Sequence, residues 1–178
     1  IVSGDFKGRI IHVPPSLTLR PTTDIAKEGL FNILANRIYF DELSVLDVFA
    51  GTGNITYEFL SRGVVDIISV DNNPKHVSFI DRTCKDLGRK NSRVVRSDAF
   101  LFLKSCTRQF DLIFADPPYD LKGIELIPQL VMEKKLLKQE GILIVEHAVE
   151  TDLSKSIGFS EKRNWGKVNM SFFSNPIS

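Results

Sequence analysis

The chain has 178 residues, of which 43% are hydrophobic and 25% charged, a composition typical of an ordinary globular protein. Its 23 Lys and Arg residues almost balance 22 Asp and Glu residues, so the net charge of +1 gives no overall field that favours nucleic acid. No apolar run approaches the roughly 18 residues of a membrane helix, and the cysteines lack the spacing of metal ligands. We expect one cytoplasmic domain over residues 1–178.

The first 40 residues combine an excess of basic side chains with a short alternating pattern. Residues 4–13 alternate around two glycines and stop at a Pro-Pro pair, which predicts a small β-hairpin or edge strand. The basic side chains are typical of a solvated face or of a nucleic-acid contact, and both interpretations stay open. A helix is predicted over residues 25–35, with Thr23 or Asp24 as its N-cap.

Strand, turn and helix repeat from residue 45 onward. Strands are predicted at residues 45–50, 66–70, 93–96, 110–115 and 141–146, and helices at residues 55–61, 74–87, 99–105 and 124–137. This alternation implies right-handed crossovers and a mostly parallel, doubly wound sheet. Residues 159–165 and 167–173, separated only by Gly166, predict a terminal antiparallel pair.

A glycine-rich turn follows the first of these strands. Gly51-Thr52-Gly53 links an apolar strand to a helix, and its glycines would let a ligand approach the backbone and the free amides of the helix. The dinucleotide fingerprint needs Gly or Ala where Thr56 stands, which disfavours a nicotinamide oxidoreductase. Asp47, inside the strand, could hold the ammonium group of a ligand. A plain tight turn is the alternative interpretation.

Two further carboxylates lie at predicted strand ends. Asp71 follows Gly51 by 20 residues, where an acidic side chain suits the ribose hydroxyls of a nucleoside. It could equally be the N-cap of the helix that begins at Pro74. Asp98, directly before Ala99, has the same two interpretations, a helix N-cap or a contact to an adenine amine.

The turn Asp116-Pro117-Pro118-Tyr119 ends an apolar run that predicts a strand buried on both faces. Because prolines cannot continue a strand, the chain leaves the sheet at the edge where open α/β sheets bind ligands. The Asp116 carboxylate and the Pro117 carbonyl could accept both N–H groups of an exocyclic amine, so that its lone pair faces an electrophile. Tyr119 could stack on a base swung out of its helix. The alternative is a rigid turn with an exposed Asp.

Together these segments resemble the ordered motifs of class I S-adenosylmethionine-dependent methyltransferases that modify amino groups. More narrowly, the chain resembles the bacterial small-subunit rRNA guanine-N2 methyltransferases (RsmD-like) over nearly its whole length. The further matching segments are Gly8-Arg9, residues 20–24, Lys27-Glu28, and residues 30–32, 60–63, 145–147 and 163–166. Asn54, Thr56-Tyr57 and Trp165 depart from the usual pattern of that family.

The resemblance implies a Rossmann-like class I methyltransferase fold, with a seven-stranded mostly parallel sheet, an antiparallel C-terminal strand and a short N-terminal β-hairpin. It also implies S-adenosyl-L-methionine as cofactor, bound by Asp47, Phe49, Ala50, Gly51, Thr52, Gly53, Asp71, Asn72, Asp98, Ala99, Thr23 and Asp116. The catalytic residues would be Asp116, Pro117, Pro118 and Tyr119. Residues 1–40 would contact RNA and cofactor, with RNA bound by Lys7, Arg9, Arg20 and Lys27.

The reaction expected from the resemblance is methyl transfer to the exocyclic N2 amine of a guanine in 16S rRNA. The partner would be 16S rRNA or the small ribosomal subunit, and the protein would act as a monomer without metal or membrane. The same chemistry is compatible with adenine-N6 methylation of DNA or RNA, although 178 residues contain no dedicated DNA-recognition domain. An inactive methyltransferase-fold RNA-binding protein is the alternative of another class, and the intact turn at residues 116–119 disfavours it.

Overall fold

Strands and helices alternate through most of the computed structural model, which describes residues 1–177. The helices are α1 (Asp24–Ala35), α2 (Asn54–Ser61), α3 (Pro74–Asp86), α4 (Ala99–Ser105) and α5 (Leu126–Glu133). The strands are β1 (Ser44–Val48), β2 (Asp66–Asp71), β3 (Ser92–Arg96), β4 (Phe110–Ala115), β5 (Leu137–His147), β6 (Phe159–Trp165) and β7 (Val168–Ser174).

These strands form one seven-stranded sheet in the order β3-β2-β1-β4-β5-β7-β6. Strands β1 to β5 pair in parallel, whereas β7 runs antiparallel to both of its neighbours, β5 and β6. The predicted mostly parallel sheet with an antiparallel C-terminal pair is therefore confirmed. The strand order reverses between β1 and β4, and in such sheets the crevice at the reversal is where ligands bind.

Helices cover both faces of the sheet, which explains why its central strands are apolar. Every residue of β1 is buried, and so is every residue of β4 except Asp111. Helices α1, α2 and α3 pack on one face around Phe59 and Phe114, and α4 and α5 pack on the other around Leu103 and Ile113. Each such fully buried side chain contributes about 1.5–3 kcal/mol. Because successive side chains of a strand point to opposite faces, the neighbours Ile113 and Phe114 belong to different sides of the sheet.

The predicted bounds of β4, α4 and β6 match the structure, and the largest difference lies between α5 and β5. The helix predicted over residues 124–137 ends at Glu133, because Lys135 adopts a φ of 52° that turns the chain. The N–H of Phe110 donates to the carbonyl of Leu136 at 2.8 Å, and Phe110 pairs with Leu137. Pairing with β4 therefore begins β5 several residues earlier than predicted.

The predicted N-terminal hairpin is wrong, because no strand forms before β1. Residues 4–13 instead contain turns, with a φ of 85° at Gly4 and 82° at Gly8. The N–H of Asp5 donates to the carbonyl of Ser61 at 2.7 Å rather than to an opposing strand. The extension therefore packs on the C-terminal end of α2, and local alternation cannot reveal a contact with so distant a segment.

Helices long and apolar enough to cross a membrane do not occur within residues 1–177. Over the same residues, no three or more His, Cys, Asp or Glu side chains cluster as they would around a metal ion. Both cysteines are free thiols, with Cys84 buried and Cys106 half-buried.

Candidate functional site

Four acidic residues lie near the carboxyl ends of four neighbouring parallel strands. Asp47 and Asp71 belong to the adjacent strands β1 and β2, Asp116 directly follows β4, and Glu146 lies next to the last residue of β5. Because β1 separates β2 from β4 and β4 separates β1 from β5, the four residues form a row across the sheet. The sequence analysis predicted three of them as site residues and missed Glu146.

The loop between β1 and α2 has an uncommon backbone conformation. Phe49 adopts a φ of 60°, and Gly51 and Gly53 adopt 58° and 88°. A left-handed conformation at a non-glycine residue costs about 1–3 kcal/mol and is concentrated at functional sites. A Cβ on Gly53 would lie 2.5 Å from the Tyr57 ring, and one on Gly51 would lie 2.8 Å from Leu19. A side chain at Gly53 would therefore displace the Tyr57 ring, whereas one at Gly51 would displace only the end of the exposed Leu19 side chain.

Asp71 connects this loop to the start of α3. Its Oδ2 accepts a hydrogen bond from the N–H of Gly51 at 2.8 Å. Its Oδ1 accepts one from the N–H of Asn73 at 2.9 Å and lies 3.1 Å from Nδ1 of His76. The N-cap of α3 is Asn73 and not Asp71. A carboxylate offers about four acceptor positions, so Oδ2 keeps one for a ribose hydroxyl, whereas a second hydroxyl would compete with His76.

Asp98 is the N-cap of α4, where its Oδ1 accepts a hydrogen bond from the N–H of Leu101 at 3.0 Å. The side chain is exposed, so the predicted contact to an adenine amine stays a prediction beside this capping role. Nearby, the rings of Phe49 and Phe100 meet edge to face with centroids 6.1 Å apart. This contact forms an apolar wall between the glycine loop and α4, against which a flat ring could pack.

Asp47 is buried beneath the glycine loop, with 1% of its surface exposed. Its Oδ2 accepts a hydrogen bond from Oγ1 of Thr56 at 2.6 Å, and the Thr56 hydroxyl is also hydrogen-bonded to Oγ of Ser69 at 2.7 Å. Burial raises the pKa of Asp47 to about 7. Thr56, which departs from the family pattern, thus has a structural role that the sequence analysis missed. Contact between Asp47 and a ligand ammonium stays a prediction.

The turn after β4 exposes an aromatic ring next to a half-buried carboxyl group. Asp116 is half-buried, Pro117 is buried, and Pro118 and Tyr119 are exposed, with 39% of Tyr119 accessible. The guanidinium carbon of Arg20 lies 4.8 Å from the centroid of the Tyr119 ring, which is cation–π distance. One face of the ring is therefore covered by Arg20.

Glu146 lies beside Asp116, because Ala115 of β4 pairs with Val145 of β5, and 2% of the surface of Glu146 is exposed. Oγ1 of Thr22 donates a 2.8 Å hydrogen bond to Oε2 of Glu146. Burial raises the pKa of Asp116 well above its usual range, the hydrogen bond with Glu146 and the charges of Glu146 and Asp47 raise it further, and Arg20 opposes them. The sequence indicates only that each carboxyl group lies at the end of an apolar strand. It does not indicate that the two strands are neighbours.

The segment before α1 is tied to the glycine loop as well as to Glu146. Asn54, the first residue of α2, donates through Nδ2 to the carbonyl of Thr22 at 3.3 Å. Thr23 is the N-cap of α1 and accepts a hydrogen bond from the N–H of Ala26 at 3.2 Å. Its predicted contact with the cofactor stays a prediction. Asn54, another departure from the family pattern, therefore holds this segment over the site.

The basic residues of the N-terminal region separate into two groups. Lys7 and Arg9 are exposed, as RNA contacts require. Lys27 is only 5% exposed, and its Nζ lies 3.2 Å from Oε1 of Glu58 and 3.1 Å from Oδ1 of Asn54. This corrects the predicted role of Lys27 in RNA binding, because its charge is neutralised inside the protein.

Comparisons with known proteins agree with the predicted family. Residues 1–174 match the family described as "Conserved hypothetical protein 95". YlbH of Bacillus subtilis (strain 168), named as a candidate rRNA methyltransferase, is 32% identical over 180 residues, which cover 97% of each chain. Ribosomal RNA small subunit methyltransferase D of Escherichia coli (strain K12) is 34% identical over 153 residues, 86% of this chain and 76% of that one.

The chain belongs to the family described as "Conserved hypothetical protein 95", and its relatives include ribosomal RNA small subunit methyltransferase D. A solved structure of yhhF from Escherichia coli, described as a candidate methyltransferase, superposes with a TM-score of 0.85 at 29% identity and covers 99% of this chain and 98% of its own. The predicted family and the Rossmann-like methyltransferase fold are thus confirmed.

The residues of the site fit S-adenosyl-L-methionine, which is a nucleoside with a sulfonium cation and an amino-acid end. Asp71 keeps a free acceptor position for a ribose hydroxyl, and the wall of Phe49 and Phe100 suits a flat base. The row of carboxyl groups suits a cation, since opposite charges attract most strongly where water is excluded. Gly51 removes the side chain that would obstruct close approach to the loop.

Proposed function

We propose that this protein transfers a methyl group from S-adenosyl-L-methionine to the exocyclic N2 amine of a guanine in small-subunit rRNA. The observation that carries the proposal is the position of Asp116, whose N–H donates to the carbonyl of Val48 at 3.4 Å. That contact sets the Asp116 turn directly beside the glycine loop that follows β1. Support for rRNA as substrate comes from the relatives, which are named for activity on ribosomal RNA.

The cofactor supplies a methyl group already bonded to a positively charged sulfur, so the protein needs no strongly basic group to activate it. The role of the glycine loop is to bind and orient the cofactor. Asp71 would hold the ribose, Phe49 and Phe100 would flank the adenine, and Asp98 with Ala99 would lie at its edge. The other residues assigned to the cofactor by resemblance are spread over several elements. Ala50, Gly51, Thr52 and Gly53 lie in the glycine loop, Asp47 in β1 before it, Asn72 directly after β2, Thr23 directly before α1 and Asp116 directly after β4.

Asp116 would act on the amine of the substrate. The lone pair of an exocyclic amine is delocalised into the base, so the amine is a weak nucleophile until its N–H groups are held out of the ring plane. The carboxylate of Asp116 and the carbonyl of Pro117 would accept these N–H groups. Pro118 fixes the direction of that carbonyl, because the residue before a proline has few allowed conformations. Pre-organisation of this kind accelerates reactions without changing the protonation of the base.

Tyr119 and Arg20 would hold the target base. Arg20 already covers one face of the Tyr119 ring at 4.8 Å, which leaves the other face for stacking. A base in a folded RNA reaches such a site only after it has left its stack, and aromatic rings recover part of that stacking energy. The pair thus offers both stacking and a positive charge for the neighbouring phosphate.

The N-terminal extension would contact the RNA backbone through Lys7 and Arg9, and Arg20 would extend that contact to the site. These phosphate contacts would make binding weaken as salt rises. We further propose that residues 1–178 act as a single, monomeric catalytic domain in the cytoplasm, where small-subunit rRNA is found, and that no metal takes part.

The test is methyl transfer from labelled S-adenosyl-L-methionine to small ribosomal subunits, free rRNA and DNA, followed by nucleoside analysis. N2-methylguanosine from either rRNA substrate is the expected product. N6-methyladenine would keep the amine chemistry but replace guanine as the target. Absence of transfer to every substrate, with cofactor bound, would overturn the proposed activity and leave an RNA-binding protein.

A further inference from the structure

Asp116 and Glu146 lie side by side because their strands are neighbours in register. Ala115 of β4 pairs with Val145 of β5, so the next residue of each strand is Asp116 or Glu146. Residues Phe114 and Ile144, two positions earlier, both belong to the core between the sheet and α1, α2 and α3. Since side chains alternate along a strand, Asp116 and Glu146 project to that same face.

Glu146 is buried without a cation. Only 2% of it is exposed, and no ion pair within residues 1–177 includes it. The hydroxyl of Thr22 donates to it at 2.8 Å, and the register of β4 with β5 places the carboxyl group of Asp116 beside it. Two carboxylates in contact cannot both be ionised cheaply, so such pairs hold one proton between them.

We propose that Glu146 is a positioning residue that shares one proton with Asp116 and thereby controls when Asp116 can accept the N–H groups of the substrate amine. This inference rests on the proposed function. A shared proton occupies one acceptor position and gives the pair a single negative charge. Loss of that proton frees the Asp116 carboxylate as an acceptor, so the active form of the enzyme is the deprotonated pair.

Four charged or titratable groups face Asp116. Glu146 on β5 and Asp47 on β1 favour its protonated form, and Arg20 from the segment before α1 favours its ionised form. Tyr119, in the same turn, is neutral at about pH 7 because a phenol ionises only at about pH 10, and partial burial and the nearby carboxylates raise its pKa further. Two carboxyl groups therefore oppose one guanidinium, and removal of Glu146 is the change that shifts the balance most directly.

The same pair provides an acceptor for the proton that the reaction releases. The nitrogen lone pair forms the new N–C bond, and the electron pair of the broken C–S bond stays on sulfur. The methylated nitrogen is then cationic and gives one N–H proton to the Asp116 carboxylate, while the N–H electron pair returns to nitrogen. The pair regains its single shared proton and must lose it to solvent before the next turnover.

The first test uses the protein alone and does not depend on any substrate. Side-chain carboxyl groups labelled with carbon-13 are followed by NMR as pH is raised. We expect wild-type protein to show a carboxyl titration well above the ordinary range, and this titration to be absent from Asp116→Asn. If every Asp and Glu except the buried Asp47 titrates in the ordinary range, the shared proton does not exist and the proposal is overturned.

The second test is the pH dependence of kcat for methyl transfer. In Glu146→Gln the amide keeps an acceptor for Thr22 and a donor for Asp116 but removes the competing charge. We expect the acidic limb of the profile to move to lower pH by about one unit or more. The matched control is Glu150→Gln, an exposed residue four positions on, which should leave the limb in place.

A uniform fall in kcat of Glu146→Gln with an unmoved acidic limb would mean that Glu146 only supports the fold, and this would overturn the proposal. If Glu146→Gln does not fold, the carbon-13 signal of Glu146 decides the proposal: with a shared proton it should move together with that of Asp116 in wild-type protein and lose this high-pH step in Asp116→Asn, whereas a Glu146 signal that never follows Asp116 would overturn it. If wild-type protein methylates no RNA, the proposed function fails, and the carboxyl titration alone then decides whether the pair shares a proton.

Discussion

The N–H of Gly51 donates a 2.8 Å hydrogen bond to Oδ2 of Asp71, and this side-chain contact, together with the 2.9 Å hydrogen bond from the N–H of Ala50 to the carbonyl of Val70, joins the glycine loop after β1 to the end of β2. The other oxygen of Asp71 accepts from the N–H of Asn73 at 2.9 Å, at the start of α3. Asp71 therefore shapes the loop in addition to its proposed contact with the ribose. Both roles concern the cofactor and neither concerns the amine of the substrate.

Replacement of Asp71 by Ala should weaken cofactor binding strongly. The variant loses charge-assisted hydrogen bonds, each of which contributes about 1.5–3 kcal/mol, and leaves the Gly51 amide without its partner. We expect the Kd for S-adenosylhomocysteine, measured by calorimetry, to rise about 10- to 100-fold. Asp116→Ala serves as the matched control, since it should bind this product with little change. Equal losses in the two variants would contradict the division of roles between these carboxylates.

Gly53→Ala should destabilise the protein more than Gly63→Ala. The two glycines have similar φ values, 88° and 83°, so the conformational penalty of about 1 kcal/mol is shared. Only at Gly53 does a Cβ meet a neighbour, the Tyr57 ring at 2.5 Å, whereas Gly63 has open space. The free energy of unfolding in urea measures the difference. Equal losses would mean that Tyr57 moves aside at no cost, and that the loop is less constrained than described.

Lys27→Met should lower stability and leave RNA binding unchanged. The substitution leaves Glu58 buried with Arg62, 2.6 Å away, as its remaining cation. Because Glu58 stays paired with Arg62, the cost is that of a lost charge-assisted hydrogen bond, about 1.5–3 kcal/mol, which urea unfolding detects. Arg9→Met is the comparison, with the opposite expectation: unchanged stability and weaker RNA binding with a smaller dependence on salt. A Lys27→Met protein of wild-type stability that fails to bind RNA would reinstate Lys27 as an RNA contact.

Stability should fall as pH rises from about 4 to about 7, in part because of Asp47. In the unfolded chain this group ionises near its ordinary value of 3.8, whereas burial raises its folded pKa to about 7. Between these values the folded state binds more protons, so the free energy of unfolding decreases with pH. One pKa unit corresponds to ~1.4 kcal/mol, so the change reaches about 4 kcal/mol.

The Asp47→Asn variant isolates this contribution. Asparagine has no proton to lose, so its urea-unfolding free energy should decrease less over the same pH range. Asp116, whose pKa is also raised by burial, contributes a slope of the same sign to both proteins. Parallel curves for wild type and Asp47→Asn would show that Asp47 does not titrate in this range.

The sequence predicts a strand or helix correctly where the residues that begin and end it lie within that segment or next to it. The bounds of β4 are correct because an apolar run meets two prolines, and those of α4 are correct because Asp98 caps a short apolar helix. The turn at residues 116–119 was found for the same reason. Each of these features depends only on residues that are close to one another in the sequence.

The errors concern contacts between distant segments. The prediction of an N-terminal hairpin is wrong because the N–H of Asp5 donates to the carbonyl of Ser61. The prediction that Lys27 contacts RNA is wrong because its ammonium group is paired with Glu58, 31 residues away, inside the protein. Glu146 escaped notice because its pairing with Asp116 depends on the register of β4 with β5. Strand order and register arise from the whole sheet, so no inspection of the residues around Glu146 alone would have found the pair.

The most direct test of the central claim compares wild-type protein with Asp116→Ala in transfer from labelled S-adenosyl-L-methionine to small ribosomal subunits, with the modified nucleoside identified by mass spectrometry. We expect N2-methylguanosine from the wild type and a loss of at least about 100-fold in the variant, as for removal of a pre-organised electrostatic contact. A product other than N2-methylguanosine, or equal rates for the two proteins, would contradict the assignment of guanine as target or of Asp116 as the residue that holds its amine.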